Sequence, residues 1–327
     1  MIFAVLGAPG EQGRIRPVDP GRDMGAIADL IEAAFVGELD RSGNRMIADL
    51  RQLAVLGPLL TLADQIAPFA SGYVYEQDGR LLGNVTITRE DAAGRRWFVS
   101  NVAVHPAWQG RGLGRRLMEA VLASIRRQGG RMVLLQVRAD NEPAQRLYRR
   151  LGFVRFDTVV ELMRPGSLPA PAQPPLPLRR LRSRDWQALL ELARAATPPE
   201  VQRIRGPEPN AFRPTLIKRL QEWLDGLLGG RRIWRWGLEE GGLLVAAISV
   251  LVQIDGAPAR LDLTVRPEAR GPVEGPLADA ALHILRRLTR RGVAASVSTG
   301  HRQAVEALQA RQFSTVRTLD QLVLCLA

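Results

Sequence analysis

The chain of 327 residues contains its own pattern twice, and this internal repeat limits the possible folds more than any other feature. The two copies match at an offset of 161 residues over a short strand and the glycine-rich loop that follows it. The matched pairs are Val104 with Val265, Pro106 with Pro267, Gly110 with Gly271, and Gly114 with Gly275. Because each copy is far longer than a solenoid repeat, we expect two copies of one domain fold.

A segment that cannot form a hydrophobic core separates the copies. Residues 165–177 read PGSLPAPAQPPLP, a composition that favours extended polyproline geometry. We therefore predict an N-terminal domain over 1–164, a linker over 165–177 and a C-terminal domain over 178–327. The chain length agrees with two domains at roughly 150 residues each.

Each copy has the hydrophobic pattern of an α/β domain with a mixed sheet. The first copy predicts a strand, two helices, a meander of three strands, a helix, a strand, a helix and two last strands. The second of these helices is predicted over 45–60, and Asp78-Gly79 predicts a hairpin turn. The second copy repeats the order, with helices predicted over 186–195 and 216–228.

The basic composition does not by itself indicate a nucleic-acid-binding protein. The formal net charge is +12, but Lys218 is the only lysine among 45 basic residues, as a GC-rich genome would produce. The arginines are spread over both copies, and aromatic residues that could stack on bases make up 5% of the chain. We therefore expect no nucleic-acid partner.

The composition also indicates a reduced protein without a membrane segment. One cysteine, Cys325, excludes an internal disulfide, and three widely spaced histidines do not form a zinc-binding pattern. No apolar run reaches the ~20 residues of a membrane helix, and the start lacks the basic region of a signal peptide. We expect a cytoplasmic protein with no metal and no membrane partner.

Residues 109–116, QGRGLGRR, follow a predicted strand and begin a predicted helix. A helix N-terminus offers unpaired N–H groups and the positive end of the helix dipole, and glycines allow close approach of an anion. We predict a phosphate or pyrophosphate site here, with a tight turn carrying solvated arginines as the alternative. A Walker loop is excluded because Gly-Lys-Ser/Thr is absent, and Arg115 stands where a dinucleotide fingerprint needs its third glycine.

This loop and a second motif resemble the two signatures of the GCN5-related N-acetyltransferase (GNAT) superfamily. The first, Gln/Arg-x-x-Gly-x-Gly/Ala, stands at 109–114 after VAVHP at 102–106. The second, Asn-x-x-Ala-x-x-Leu-Tyr-x-x-x-Gly-Phe, is complete over 141–153. The resemblance covers about residues 14–164. It implies an α/β fold of two tandem GNAT domains, each a mixed, mostly antiparallel sheet flanked by helices.

The resemblance also implies a binding site for acetyl-CoA. The pyrophosphate is expected on the loop amides and Arg115, the pantetheine arm along the strand edge, and Asn141 near the pantetheine or the reaction centre. Tyr148 is expected to protonate the leaving thiolate, although a tyrosine on an apolar helix face is usually a core residue. The implied cofactor-binding residues are Val102, Ala103, Val104, Gln109, Gly110, Arg111, Gly112, Leu113, Gly114, Arg115, Asn141, Ala144 and Tyr148.

The carboxylates that some relatives use as a general base have no match in this chain. Gln136 stands where ribosomal-protein alanine acetyltransferases carry a glutamate, and Phe98 or a near neighbour stands where histone-type relatives carry one. The base is left open among polar groups, with His105 expected to pack or cap locally. The candidates are Ser100, Asn101, a water chain, Glu38, Asp40 and Glu90.

The second copy lacks several of the site residues at matching positions. Gly112 is replaced by Val273, and Leu113 by Glu274, which puts a carboxylate where pyrophosphate would bind. The position of Tyr148 is taken by Leu308. The apolar helix face is kept, so we predict a degenerate GNAT-like domain.

These features together predict an acetyl-CoA-dependent N-acetyltransferase. A neutral primary amine is expected to attack the thioester directly in a ternary complex, and the amine is left open between a small molecule and a protein. The alternative is a non-catalytic acyl-CoA-binding or basic adaptor module.

Overall fold

The structure, a computed structural model, describes residues 13–35, 71–91, 93–166, 176–215, 231–253 and 257–326. The elements of the first copy are β1 (Arg14–Pro17), α1 (Pro20–Ala34), β2 (Gly72–Gln77), β3 (Arg80–Arg89), β4 (Arg96–Val104), α2 (Leu113–Arg127), β5 (Met132–Arg138), α3 (Glu142–Arg150) and β6 (Val154–Arg164). Those of the second copy are β7 (Arg179–Arg180), α4 (Trp186–Ala196), α5 (Pro199–Arg205), α6 (Pro209–Phe212), β8 (Arg231–Glu240), β9 (Leu243–Gln253), β10 (Ala259–Val265), α7 (Glu274–Leu288), β11 (Val293–Ser298), α8 (Arg302–Gln309) and β12 (Ser314–Cys325).

The order of elements in the first copy follows the predicted pattern with one difference at its end, and the second copy has two short helices, α5 and α6, that were not predicted. We predicted two last strands, whereas β6 is one continuous strand. Its sequence contains no glycine, asparagine or proline to begin a turn. The predicted helices over 45–60 and 216–228, and residues 167–175 of the predicted linker, lie outside the described residues.

Local signals begin and join these elements. The side chain of Asp19 accepts a hydrogen bond from the N–H of Gly21 and caps α1, and Pro20 occupies the first turn of the helix. Asp78 and Gly79 join β2 to β3 with φ of 51° and 72°, as a two-residue hairpin turn requires. The predicted hairpin is therefore confirmed.

The chain divides into two compact units that are not contiguous in sequence. The first contains residues 1–136, 143–154 and 322–327, and the second contains residues 137–142 and 155–321. The domain boundaries that we predicted at residues 164 and 178 stay a prediction.

In the first unit, β1 to β5 form a sheet in sequence order. Neighbouring strands are antiparallel except β4 and β5, which are parallel. Helix α1 packs on one face, in an apolar cluster that includes Val74 and Ala103. Helix α2 packs on the other, where the hydroxyl of Tyr73 donates to Ser124 at 2.7 Å. The sheet is therefore mixed and covered by helices on both faces.

In the second unit, the strand order is β6-β11-β10-β9-β8-β7, with β10 and β11 parallel. Its main apolar cluster joins α7 to the sheet and contains Leu261, Leu277 and Leu285. Among the described residues, no helix combines the length and the hydropathy that crossing a membrane would need.

The last strand of each copy pairs with strand residues of the other copy. Thr299, directly after β11, donates its N–H to the carbonyl of Thr158 in β6 at 2.8 Å. Ala139, directly after β5, donates to Thr318 in β12 at 2.9 Å. Thr158 and Ala139 of the first copy correspond to Thr318 and Thr299 of the second at an offset of 160 residues, so the two hydrogen bonds are equivalent and the copies exchange their last strands reciprocally.

Candidate active site

Strand β4 contains a β-bulge near its carboxyl end. Ser100 pairs with Thr86 of β3 and Ala103 pairs with Asn84, so two intervening residues of β4 oppose one of β3. Asn101 lies in the bulge with a φ of 50°, a left-handed conformation that asparagine adopts more readily than most residues. The N–H groups of successive strand residues point alternately to the two neighbouring strands. An inserted residue therefore reverses the direction of every N–H group that follows it in the strand.

The bulge decides which backbone groups of β4 face β5. The N–H of His105 donates to the carbonyl of Leu82 in β3 at 3.0 Å. Because successive residues of a strand alternate in direction, the N–H groups of Val104 and Val102 face the opposite way, toward β5. The ladder with β5 covers only Arg96–Val99. Beyond it, β4 presents a backbone edge to the space between the two strands.

The glycine-rich loop follows this edge and leads into α2. Gly110 and Gly112 have φ of 75° and 78°, and a Cβ on either would meet no atom of the described residues within 4 Å. Gly112 is the N-cap of α2, and within the part of the chain that the structure describes no side chain caps the helix there. The first N–H groups of α2 therefore lie at the positive end of the helix dipole beside open space, an arrangement that fits a diphosphate.

Close packing joins the loop to β4 and α3. A Cβ on Gly114 would lie 3.5 Å from Leu147 and 3.8 Å from Val104. The side-chain amide of Gln109 donates to the carbonyl of Val104 at 3.2 Å. The side chain of Leu113 is buried, so only its backbone is available to a ligand. The structure thus brings together the three elements that carry most of the predicted cofactor residues.

Arginines surround the start of α2 in different settings. The guanidinium of Arg111 lies over the ring of Trp108, 4.6 Å from its centroid. Arg115 donates to Glu119 one turn along the helix at 2.7 Å. Since this exposed ion pair shares the charge of Arg115, Arg111 is the arginine that the loop itself holds in place.

Tyr148 lies on the buried face of α3. It is 6% exposed, and its ring meets that of Phe153 edge to face with centroids 5.8 Å apart. Burial raises the pKa of Tyr148 to about 12, so the phenol is protonated at neutral pH. The hydroxyl can therefore donate a proton or a hydrogen bond, and cannot serve as a base near pH 7.

The other residues of the second motif lie where β5 leads into α3. Asn141 directly precedes α3, and its N–H donates to the carbonyl of Arg138 at 3.1 Å. Ala144 is partly buried in the first turn of α3. Asn141 groups with the second unit, and Ala144 with the first. Their contacts with a cofactor stay predictions.

Glu90, one of the candidate bases, lies far from the edge of β4. Its N–H donates to the carbonyl of Arg96, and its carboxylate lies 3.3 Å from Nε of the same residue. Arg96 begins β4 and Val104 ends it, which places them roughly 25 Å apart at ~3.3 Å per residue. A role for Glu90 as base at the edge is therefore wrong.

The remaining candidates have different surroundings. His105 accepts a hydrogen bond from the N–H of Ala107 at 3.3 Å and caps a 3-10 turn, as predicted. Ser100 directly precedes the bulge, and Gln136 is exposed on β5. Glu38 and Asp40 lie outside the described residues. The identity of the base stays open among polar groups and water.

The bulge and the side chain that holds it were not predicted. Asn84 is 1% exposed, and its Nδ2 donates to the carbonyl of Asn101 at 3.1 Å. The one available signal is a lone asparagine in the apolar run LLGNVTIT over 81–88. A single polar residue in a strand can have many roles. Only the pairing register between β3 and β4 shows that this asparagine lies beside the bulge.

In the second copy, the corresponding loop binds a side chain of the protein itself, that of Glu274. The carboxylate of Glu274 is fully buried, accepts the N–H of Gly271 at 2.7 Å and lies 2.8 Å from Nε2 of His301. Burial lowers the pKa of His301. Arg270, at the position of Gln109, donates to the carbonyl of Ala196 at 2.8 Å. A carboxylate of the protein thus occupies the start of α7.

A bulged backbone edge beside a glycine-rich helix start defines the class of site, that of an acyltransferase domain. Residues 44–153 match the model of the acetyltransferase (GNAT) family. The N-alpha-acetyltransferase RimI of Mycobacterium tuberculosis is 35% identical over 133 residues, which are 38% of this chain and 80% of that protein. The chain belongs to the GNAT family, as its two motifs predicted.

A second curated relative matches over a smaller share of its length. Mycothiol acetyltransferase of Thermomonospora curvata is 36% identical over 146 residues, which are 43% of this chain and 44% of that protein. The match therefore spans less than half of this relative.

Solved structures resemble the whole chain. A GCN5-related N-acetyltransferase of Sphaerobacter thermophilus matches with a TM-score of 0.68 and 18% identity, over 96% of both chains. A tandem GNAT protein from the clavulanic acid biosynthesis pathway matches with a TM-score of 0.61 and 18% identity, over 96% of this chain and 98% of that one. At this identity the similarity shows the fold, and it confirms the predicted tandem GNAT architecture.

Proposed function

We propose that the first copy transfers an acetyl group from acetyl-CoA to a primary amine, by direct attack in a ternary complex. The observation that carries this proposal is the backbone edge of Val102–Val104, with N–H groups turned toward the space where β4 and β5 separate. When bound, acetyl-CoA would supply the activated acetyl group as a thioester. Everything else in the reaction is then positioning and proton movement by this chain.

The edge and the loop have complementary tasks. The N–H groups at the start of α2, between Gly112 and Arg115, would hold the diphosphate, and the backbone of β4 would pair with the pantetheine arm as an added strand. A strand N–H would then lie beside the thioester carbonyl, whose oxygen would gain negative charge as the amine attacks. A fixed backbone donor stabilises that charge without reorganisation.

Tyr148 would complete the reaction by protonating the departing thiolate, and the proton that the attacking amine loses would return to the phenolate through water. A phenol with a pKa of about 12 is protonated throughout the physiological range, which a general acid requires. A covalent acetyl-enzyme is not part of this scheme. Cys325, the one cysteine of the chain, directly precedes Leu326, whose N–H donates to Arg131 directly before β5, and the edge of β4 lies toward the opposite end of that strand.

The acceptor belongs to the class of primary amines. The named activities of two relatives, N-alpha-acetyltransferase and mycothiol acetyltransferase, cover a protein amine and a small molecule. Both remain within the proposal. The reduced, cytoplasmic setting expected from the single cysteine is part of it as well.

The second copy is proposed to bind no acetyl-CoA. The buried carboxylate of Glu274 lies at its helix start, so a diphosphate there would meet a like charge. One cofactor per chain is therefore expected. The alternative, a non-catalytic acyl-CoA-binding or basic adaptor module, shares the binding step and lacks turnover.

The test combines binding with turnover. Calorimetry with acetyl-CoA should give one site per chain, and thiol release should be followed with a panel of small amines and peptide N-termini. Tyr148→Phe should lower kcat about 100-fold with little change in acetyl-CoA affinity. Tyr75→Phe, the same change in a buried tyrosine of β2, is the matched control and should keep wild-type kcat.

Three results would contradict parts of the proposal. Absence of acetyl-CoA binding would refute it entirely, and two sites per chain would refute the inactive second copy. Tight binding without turnover on the whole panel would favour the non-catalytic module.

A further inference from the structure

We infer that Asn84 is a positioning residue, whose side-chain amide holds the bulge of β4 in the shape that aims a strand N–H at the thioester. This inference rests on the proposed function. Asn84 lies on β3, opposite Ala103, and its Nδ2 donates to the carbonyl of Asn101 at 3.1 Å. The residue would thus act on the reaction through the backbone of β4.

The surroundings of Asn84 are unfavourable for a polar side chain. Its cross-strand neighbours, Val74 and Ala103, belong to the apolar cluster beneath α1. Asn84 is 1% exposed, and its Oδ1 has no hydrogen-bond partner within the described part of the chain. The hydrogen bond to a carbonyl also identifies the donating end of the amide as Nδ2.

A buried amide with one satisfied end reduces stability, so its presence needs a reason other than packing. The satisfied end contacts the one residue of β4 that has a left-handed backbone, Asn101. Both features are unfavourable for folding and both lie at the predicted reaction centre. Local strain of this kind is kept where a defined backbone shape serves function.

The second copy provides an internal comparison for this argument. Ala103 corresponds to Thr264 at the offset of 161 residues, and Thr264 pairs with Ala247 of β9. Ala247 therefore stands where Asn84 stands, and it is buried in an apolar cluster beneath α4. Before Thr264, Leu263 and Asp262 continue the pairing with β9 without any shift of register, so β10 contains no residue that corresponds to the inserted residue of β4.

The asparagine, the bulge and the open helix start therefore occur together in the first copy and are absent together from the second. The second copy keeps its sheet, its covering helix and its apolar cluster without them. A residue needed only for folding would be needed in both copies. The comparison thus assigns Asn84 to the site.

The test measures the thioester carbonyl directly, so it does not depend on knowing the amine. Acetyl-CoA labelled with 13C at the carbonyl is bound to the full chain, and its carbonyl stretch is recorded by isotope-edited infrared spectroscopy. In the wild type, a strand N–H should shift the stretch below its value in water. The Asn84→Ala variant has at this position the residue that the second copy has. In this variant the shift should be lost.

Two further measurements separate positioning from folding. The acetyl-CoA affinity of Asn84→Ala should stay within about threefold of wild type, since the diphosphate site on α2 is unchanged, and kcat on any accepted amine should fall at least about tenfold. The melting temperature should be equal to or above that of wild type. Asn210→Ala, the same change at an exposed position of α6, is the control and should leave all readouts unchanged.

Asn84→Asp supplies the conservative variant. Burial raises the pKa of a carboxyl group, and a protonated carboxyl can donate to Asn101 as the amide does, whereas an ionised one cannot. The wild-type carbonyl shift should therefore be present at pH 5 in this variant. A variant that behaves as Asn84→Ala at pH 5 would overturn the donor role.

The outcomes distinguish this inference from the proposed function. If the wild type binds no acetyl-CoA, the proposed function fails. If it binds, and Asn84→Ala keeps the carbonyl shift, the inference alone fails. A fall in melting temperature together with loss of affinity would assign Asn84 a structural role and would also overturn it.

Discussion

At the scale of single residues, a comparison of equivalent positions in the two copies distinguishes side chains that stabilise the fold from side chains that belong to the site. In the first copy Arg16 bridges Asp23 and Glu76, at 2.6 and 2.7 Å. In the second, Arg179 bridges Asp185, directly before α4, and Glu239 of β8, at 3.0 and 2.6 Å. This ionic arrangement persists where Tyr148 and Asn84 have been replaced, so it serves the fold.

The carboxylate of Glu76 gives a pH-dependent prediction. Its hydrogen bond with Arg16 lowers the pKa of Glu76 to about 2. A carboxylate with a lowered native pKa stabilises the fold above its unfolded pKa, and this contribution is lost as the pH falls toward the native value. Glu76→Gln should therefore unfold at lower urea concentration than wild type at pH 7, and the difference should shrink steadily between about pH 4.5 and pH 2.

Urea unfolding at a series of pH values checks this expectation. Glu306→Gln is the matched control, because Glu306 forms an exposed pair with Arg302 that contributes little. A difference between Glu76→Gln and wild type that stays constant down to pH 2 would contradict the assigned cause.

At the scale of elements, function depends on where a helix and a strand end. Helix α2 begins at an uncapped glycine, whereas the start of α7 is occupied by the carboxylate of Glu274. Strand β4 leaves its ladder with β5 after Val99 and continues with a bulge, whereas β10 has none. Helix start and strand edge lie side by side, since a Cβ added to Gly114 would lie 3.8 Å from the side chain of Val104.

Gly112 provides the prediction at this scale. Alanine at a φ of 78° is strained by about 1–2 kcal/mol, and the backbone shift that relieves it would displace the first N–H groups of α2. Gly112→Ala should weaken acetyl-CoA binding at least about tenfold, measured by calorimetry. Gly79→Ala in the β2–β3 turn, at a φ of 72° and with no described atom within 4 Å of an added Cβ, should lose similar stability and keep wild-type affinity.

If both variants bind acetyl-CoA as the wild type does, the loop amides do not hold the diphosphate. If both weaken binding equally, the effect comes from general loss of stability.

At the scale of the whole molecule, the exchange of last strands makes the copies interdependent. Residues 155–164, which the sequence assigns to the first copy, group with the second unit, and residues from 322 onward group with the first. Within the first unit, the N–H of Leu326 donates to the carbonyl of Arg131 at 2.8 Å. Neither half of the sequence contains all the strands of either unit.

The exchange predicts that the first half cannot fold alone. A fragment of residues 1–164 would expose β6 without its partners and would lack the strand supplied by the chain end, so it should aggregate. Coexpressed with residues 176–327, the tagged fragment should be recovered in a soluble complex, measured by affinity copurification and size exclusion. A monomeric fragment that unfolds cooperatively at the temperature of the full chain would contradict this.

Much of this architecture follows from local sequence. The repeat, the hairpin at Asp78-Gly79 and the helix start at Pro20 depend on nearby residues, whose preferences for turns and caps act over short distances. The two motifs at 109–114 and 141–153 likewise identify the family, because each lies on a single loop and helix.

The remaining features depend on residues far apart in the chain. The bulge requires the register between β3 and β4, and the exclusion of Glu90 requires the direction of β4. The role inferred for Asn84 and the exchange of last strands rest on pairings that no local pattern encodes, since a strand can pair with any edge of suitable register. The sequence by itself thus determined the family, the repeat and the glycine-rich loop, while only the tertiary structure decided which backbone groups face the gap between β4 and β5.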